Sequence, residues 1–180
     1  MRKYILLLAT MIFFLCIQAQ TFQWAKKAGT SGQDIANTIT SDNAGNVYSA
    51  GTYQGDLGFT SLYWVPYIGM NDIFLASYNK NGTFRWGKGM GGTLNDAPVS
   101  LKTDGFGNVY FFGLYQYQLI LGDDTLNSGS NAAFLLKTDS SGNIIKFKNI
   151  DRVPTNILFD TNGDLLTCTF ISTQVIIDND

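Results

Sequence analysis

All 14 carboxylate side chains of this chain are aspartates, and it has neither histidine nor glutamate. Without histidine the commonest general base and metal ligand at neutral pH is missing. Ser-His-Asp and Cys-His nucleophile systems are therefore excluded. What remains is chemistry that aspartate does alone. Glycoside hydrolysis needs two carboxylates held apart across a sugar, and nothing in the sequence sets a second one opposite Asp123-Asp124. Calcium takes about six to eight oxygen ligands. Only Asp160-Thr161-Asn162-Gly163-Asp164 gathers several, which makes Asp160, Asn162 and Asp164 the candidate metal ligands. The run Gly89-Met90-Gly91-Gly92 is glycine-rich like a phosphate loop, but no helix follows to present its N-terminus. No cofactor is expected.

Aromatic side chains offer binding rather than catalysis. Trp24 recurs as Trp86, Tyr48 as Tyr110 and Tyr53 as Tyr115, each 62 residues on, so these are read as packing residues. The segment 61–69 has no such counterpart: its aligned stretch, 123–129, contains no aromatic. Tyr63, Trp64 and Tyr67, grouped around Pro66, are the candidate ligand-binding residues for a sugar or a peptide. The competing reading is a patch on an outer strand that packs locally.

The elements that would position these groups follow from internal self-similarity. At the 62-residue offset Asp34 matches Asp96, Asp42 matches Asp104, and Gly45-Asn46-Val47-Tyr48 matches Gly107-Asn108-Val109-Tyr110. A third copy follows 56 residues later, with Asp160, Gly163 and Leu165 in place of Asp104, Gly107 and Val109, and 175–177 in place of 119–121. Each unit predicts four short β-branched and aromatic strands, at 34–40, 47–52, 73–78 and 83–88, then at 99–103, 109–114, 133–138 and 143–148. One turn chemistry joins them: Asp42, Asn79, Asp104, Asp139 and Asp160 are each followed three residues later by glycine. Asp or Asn opens such a turn through its side-chain oxygen, and glycine closes it in the left-handed region. The expected fold is all-β, a β-propeller-like series of four-stranded blades. About ten strands are expected in two and a half units (about 24–86, 86–147 and a partial 147–180), leaving the propeller open or incomplete.

Trp24, Asp34, Asp42, Gly45-Asn46-Val47-Tyr48, Gly51, Asp72-Ile73-Phe74-Leu75-Ala76, Tyr78, Gly82 and Trp86 together resemble the SBBP repeat, the "seven-bladed β-propeller" repeat of exported bacterial proteins. The second unit has Asn131-Ala132-Ala133-Phe134 at the Asp-Ile-Phe entry and lacks the closing tryptophan. The resemblance implies a secreted or surface-associated propeller of largely unassigned function, and implies no enzyme.

The N-terminus supports export. Arg2 and Lys3 precede an apolar run over 4–17, and Ala19 stands before the expected cut, in the order of a secretory signal peptide at 1–19. The run is shorter than the roughly 20 residues of a membrane span. Cys16 could mark a lipoprotein, but bulky Leu15 stands where such signals carry a small residue. Losing Arg2 and Lys3 makes the formal charge of −2 more negative still, which argues against nucleic acid and anionic membranes as partners. Cys168 would then have no intramolecular partner. The expected protein is a secreted or cell-surface, non-catalytic binding or scaffold module whose partner is a glycan or an extracellular protein. Self-association through open blade edges such as 175–177 is a further expectation. The alternatives are a purely structural piece of a larger propeller protein and a secreted Asp-dependent hydrolase.

Overall fold

Short β-branched and aromatic runs, each closed by an Asx-x-x-Gly turn, can bury their apolar faces only as antiparallel hairpins. The computed structural model describes residues 23–171 and 174–179, and these contain strands and no helix. The expected leader at 1–19, with Cys16 and the cut after Ala19, lies outside the described residues.

The strands in chain order begin with β1 (Ile35–Ser41), β2 (Val47–Tyr53), β3 (Leu57–Thr60), β4 (Tyr63–Val65), β5 (Asp72–Tyr78) and β6 (Phe84–Met90). The first sheet has the order β1-β2-β5-β6, and β3 pairs with β4 in a separate hairpin. Next come β7 (Ala97–Thr103), β8 (Val109–Leu121), β9 (Asp124–Thr138) and β10 (Ile144–Ile150), which form a second four-stranded meander in sequence order. A third sheet has three strands, β11 (Asn156–Phe159), β12 (Leu165–Ile171) and β13 (Gln174–Asn179). All pairings between these strands are antiparallel, and none of the sheets closes on itself.

The expected strands are present, and the β3–β4 hairpin is an addition. In the second unit the same place is filled by continuous extensions of β8 and β9, which are 13 and 15 residues long. The break in the first unit falls at Gly55, with φ of 116°; the matching residue of the second unit, Tyr117, holds φ of 63° at a register shift in β8. The third unit departs from the repeat in a different way. Residues 175–177 match the continuation of β8, but here they turn back as β13 to pair with β12.

All five Asx turns have one geometry. Asp42 Oδ1 accepts from the backbone N–H of Ala44 and Asn46, and its carbonyl accepts from Gly45 N. Asp104, Asp139 and Asp160 repeat this pattern, and Asn79 does so with its amide oxygen. The closing glycines hold φ between 78° and 87°, where a Cβ is strained.

Alternation along each strand sends side chains to two faces, so consecutive sheets share cores. Tyr48, Ala50, Ile73 and Leu75 of the first sheet pack with Leu101, Val109, Phe111 and Phe134 of the second. Tyr110, Phe112 and Leu135, on the second sheet's other face, pack with Ile157 and Leu165 of the third. Each of the fully buried Val, Leu, Ile and Phe side chains among these contributes on the order of 1.5–3 kcal/mol. A further core covers the free face of the first sheet in part: Phe74, Ala76 and Tyr78 pack with Leu57, Phe59 and Val65 of the hairpin, and with Trp24 and Ala28.

The segment 24–29 repeats the contacts of the outer strand β6. Trp24 Nε1 donates to Lys80 O at 2.9 Å, as Trp86 Nε1 donates to Ser140 O at 3.0 Å. Gly29 bridges Gly58 as Gly91 bridges Ile120. Residues 24–29 therefore sit against the first sheet as β6 sits against the second.

Candidate functional site

The period of two in β4 separates Tyr63 from Trp64, and Tyr67 lies beyond the strand. Tyr63 and Val65 point inward: Tyr63 lies against Phe84 and Phe59, with ring centroids 5.0 and 6.2 Å away, and its hydroxyl donates to Gly87 O at 2.6 Å. Trp64 takes the opposite face and rests on its cross-strand partner Gly58, where a Cβ would come within 3.0–3.2 Å of three ring carbons. It remains 60% exposed. Tyr67 packs on Tyr53 at 6.3 Å, donates its hydroxyl proton to Met70 O at 3.0 Å, and its N–H bonds to Asp56 Oδ1 at 3.0 Å. The rings thus share a hairpin but not a plane. The two tyrosines are tied to protein partners, and Trp64 presents its surface outward.

At the candidate metal ligands, Asp160 Oδ1 accepts from the N–H of Asn162 and of Asp164, and its Oδ2 accepts from Asn162 Nδ2 at 3.4 Å. The two N–H bonds are those of the other turns, while the amide donor comes from two residues on instead of the four seen at Asp42, Asp104 and Asp139. Asn162 and Asp164 are exposed. Among the described residues, no three acidic or sulfur-bearing side chains converge as a metal ion would require. At Asp42 burial works to raise the pKa, but hydrogen bonds from Asn46, Tyr48 and Ala44 outweigh it and hold the carboxyl below its ordinary range.

A second carboxylate pair lies where the first sheet passes to the second. Asp72 and Asp96 are both buried. Asp96 accepts from Gly92 N at 2.7 Å and from Gln116 N at 3.3 Å. Asp72 accepts from Ile68 N at 2.5 Å and from Gly69 N at 3.2 Å. Asn71 O accepts from Asp96 N at 2.9 Å, and Asn71 Nδ2 donates to Asn95 Oδ1 at 2.5 Å. Burial pushes Asp96 up to about 7, with the charge of Asp72 adding to the rise and the N–H bonds from Gly92 and Gln116 opposing it. Burial raises Asp72 also. A raised carboxyl beside a second one is the pattern of acid–base catalysts, but these oxygens are sealed from solvent and engaged by backbone. Their role is to pin two loops together. Asp34 does the same at the equivalent place, accepting from Thr30 N at 2.7 Å. The recurrence of Asp34 as Asp96 is the sequence signal for this joint, whereas Asp72 has no counterpart and its role depends on the fold.

A groove of about 260 Å³ lies on the free face of the first sheet. The segment 24–28, the hairpin residues Leu57 and Phe59, and Ile39, Val47 and Ser49 line it. No family model matches this chain, and no curated protein matches it either.

Proposed function

We propose that this chain is an exported, non-catalytic binding and scaffold module, in which the sheets are successive blades of an open propeller-like array and the β3–β4 hairpin carries the contact for a saccharide. One observation carries the binding reading: Trp64 is held on Gly58 with most of its surface free, in a hairpin whose aromatic residues have no counterpart at the matching ends of β8 and β9. An indole presented in this way suits stacking on a sugar ring. Tyr63 and Tyr67 fix the hairpin behind it, so less conformational freedom is lost on binding. The resemblance to SBBP repeats and the leader-like N-terminus support export and the blade reading. Leu62, at the hairpin turn and almost wholly exposed, favours a second reading in which the ligand is an extracellular protein.

A glycan array, followed by titration of the best saccharide, tests the first reading. Trp64→Ala is expected to weaken that binding at least tenfold while the unfolding free energy changes by no more than about 0.5 kcal/mol. Normal binding by a destabilised variant sinks it. Absence of any saccharide ligand moves the proposal to the protein partner.

A further inference from the structure

The inward positions of the first two strands compare directly across the three sheets. In the second sheet they are Leu101, Val109 and Phe111, and all are buried against the first sheet. In the third sheet Ile157 and Leu165 hold the first two of these positions, buried against the second sheet. In the first sheet they are Ile39, Val47 and Ser49, and Ile39 is 70% exposed. The same apolar positions that form both inter-sheet cores are thus displayed in the groove.

The other half of such an interface is present at the opposite end of the chain. Tyr48 and Ala50 of the first sheet, which cover the second, correspond to Leu166 and Cys168 in β12. Leu158 pairs with Leu166 across β11 and β12 and is 61% exposed. The third sheet contains three paired strands ending at β13, with no strand beyond it among the described residues. The first sheet, conversely, has beside it a segment that makes the contacts of an outer, fourth strand, with no three-stranded partner among the described residues.

We propose that the groove on the first sheet is a self-docking site that seats the third sheet of a second copy of this chain. β11–β13 of one copy would lie over Ile39 and Val47 of the other, and residues 24–29 would stand beside β13 as its fourth strand. The occupant is specified by continuity, since the contact repeats the two interfaces already made within the chain, with the same positions on each side. The association is head-to-tail and joins two different surfaces, so it forms a ring or an open chain according to the rotation between copies. It is independent of Trp64, because Leu57 and Phe59, which line the groove, alternate along β3 with Gly58, on which Trp64 rests.

Sedimentation of the full chain over a concentration series tests this, with Ile39→Asp blocking the groove and Leu158→Asp blocking the third sheet. Both positions are exposed in the single chain, so both variants are expected to keep the parent's unfolding midpoint. The parent is expected to associate with increasing concentration, and each variant to weaken that association at least tenfold. An equimolar mixture of the two is expected to recover dimers, because one intact groove meets one intact third sheet, and to stop there. A parent that stays monomeric at ~100 µM overturns the proposal. So does association abolished by Ile39→Asp but untouched by Leu158→Asp, which indicates groove-to-groove pairing, or a mixture that stays monomeric.

Discussion

The indole of Trp86 lies where a Cβ on Gly142 would be: a side-chain carbon built there comes within 2.7 Å of Trp86 Cδ2. Gly142 also holds φ of 87°. The turn is thus constrained both by its own backbone and by a ring from the preceding sheet. Trp24 and Gly82 stand in the same relationship, with the same closest approach of 2.7 Å.

Gly142→Ala is therefore expected to lower the unfolding free energy by roughly 2 kcal/mol, from backbone strain and displacement of the ring together. Gly129→Ala is the control. No atom stands within 4 Å of a Cβ at Gly129, and the change is expected to stay within about 0.5 kcal/mol. Chemical denaturation of both variants measures the difference.

Trp86→Phe keeps a ring over the turn but removes the donor to Ser140 O. About 1 kcal/mol of stability is expected to be lost. Tyr63→Phe is expected to cost a similar amount through the loss of its bond to Gly87 O. Denaturant midpoints with unchanged slopes are the signature to look for.

Asp96 makes stability depend on pH in an unusual direction. Its pKa is raised in the folded chain, to about 7 from an ordinary 3.8, so the folded state binds the proton more tightly than the unfolded state. The stabilising contribution is fully present below about 3.8 and is lost as the pH rises through about 7. Asp72 is raised as well and acts in the same sense. Asp42 and Asp139, held low, lose their contributions only as the pH falls below the ordinary carboxylate range, outside this window. Thermal unfolding is expected at a higher temperature at pH 5.5 than at pH 8, and Asp96→Asn is expected to flatten that difference. An equal or larger difference in the variant would show that other groups are responsible.

Tyr117 carries a left-handed backbone where the first unit has Gly55. A bulky residue there costs roughly 1–2 kcal/mol, part of which a glycine recovers despite its greater freedom when unfolded. Tyr117→Gly is expected to raise stability by up to about 1 kcal/mol, since the side chain is largely exposed and little packing is lost.

The parts of the fold visible in the sequence are those governed by local chemistry. Asx-x-x-Gly turns make their own hydrogen bonds within five residues, so Asp42 through Gly163 mark the hairpins before any packing is known. The β3–β4 hairpin is hidden because its strands have only four and three residues and Gly58 interrupts the apolar pattern. Once β4 is a strand, the separation of Trp64 from Tyr63 follows from alternation alone; read as a loop, the three aromatics appear to belong together. The pairing of Asp72 with the Asp96 joint is not legible, because it depends on two loops meeting through Asn71 and Asn95. The groove is equally hidden, since Ile39 reads as an ordinary inward strand residue until that face is seen to be uncovered among the described residues.

Among the described residues, the shared cores join the first sheet to the second and the second to the third. Tension applied to the two ends of such a chain is carried by the sheets in series rather than shared among them. The weakest sheet yields alone, and its neighbours keep their internal ladders until the load returns. Yielding of either four-stranded sheet (35–90 or 97–150) releases about 55 residues, or roughly 190 Å of extended chain at ~3.5 Å per residue, and yielding of the shorter third sheet (156–179) releases less than half of that. Anchored at a cell surface, this molecule would act as a stepwise extensible tether instead of a rigid spacer.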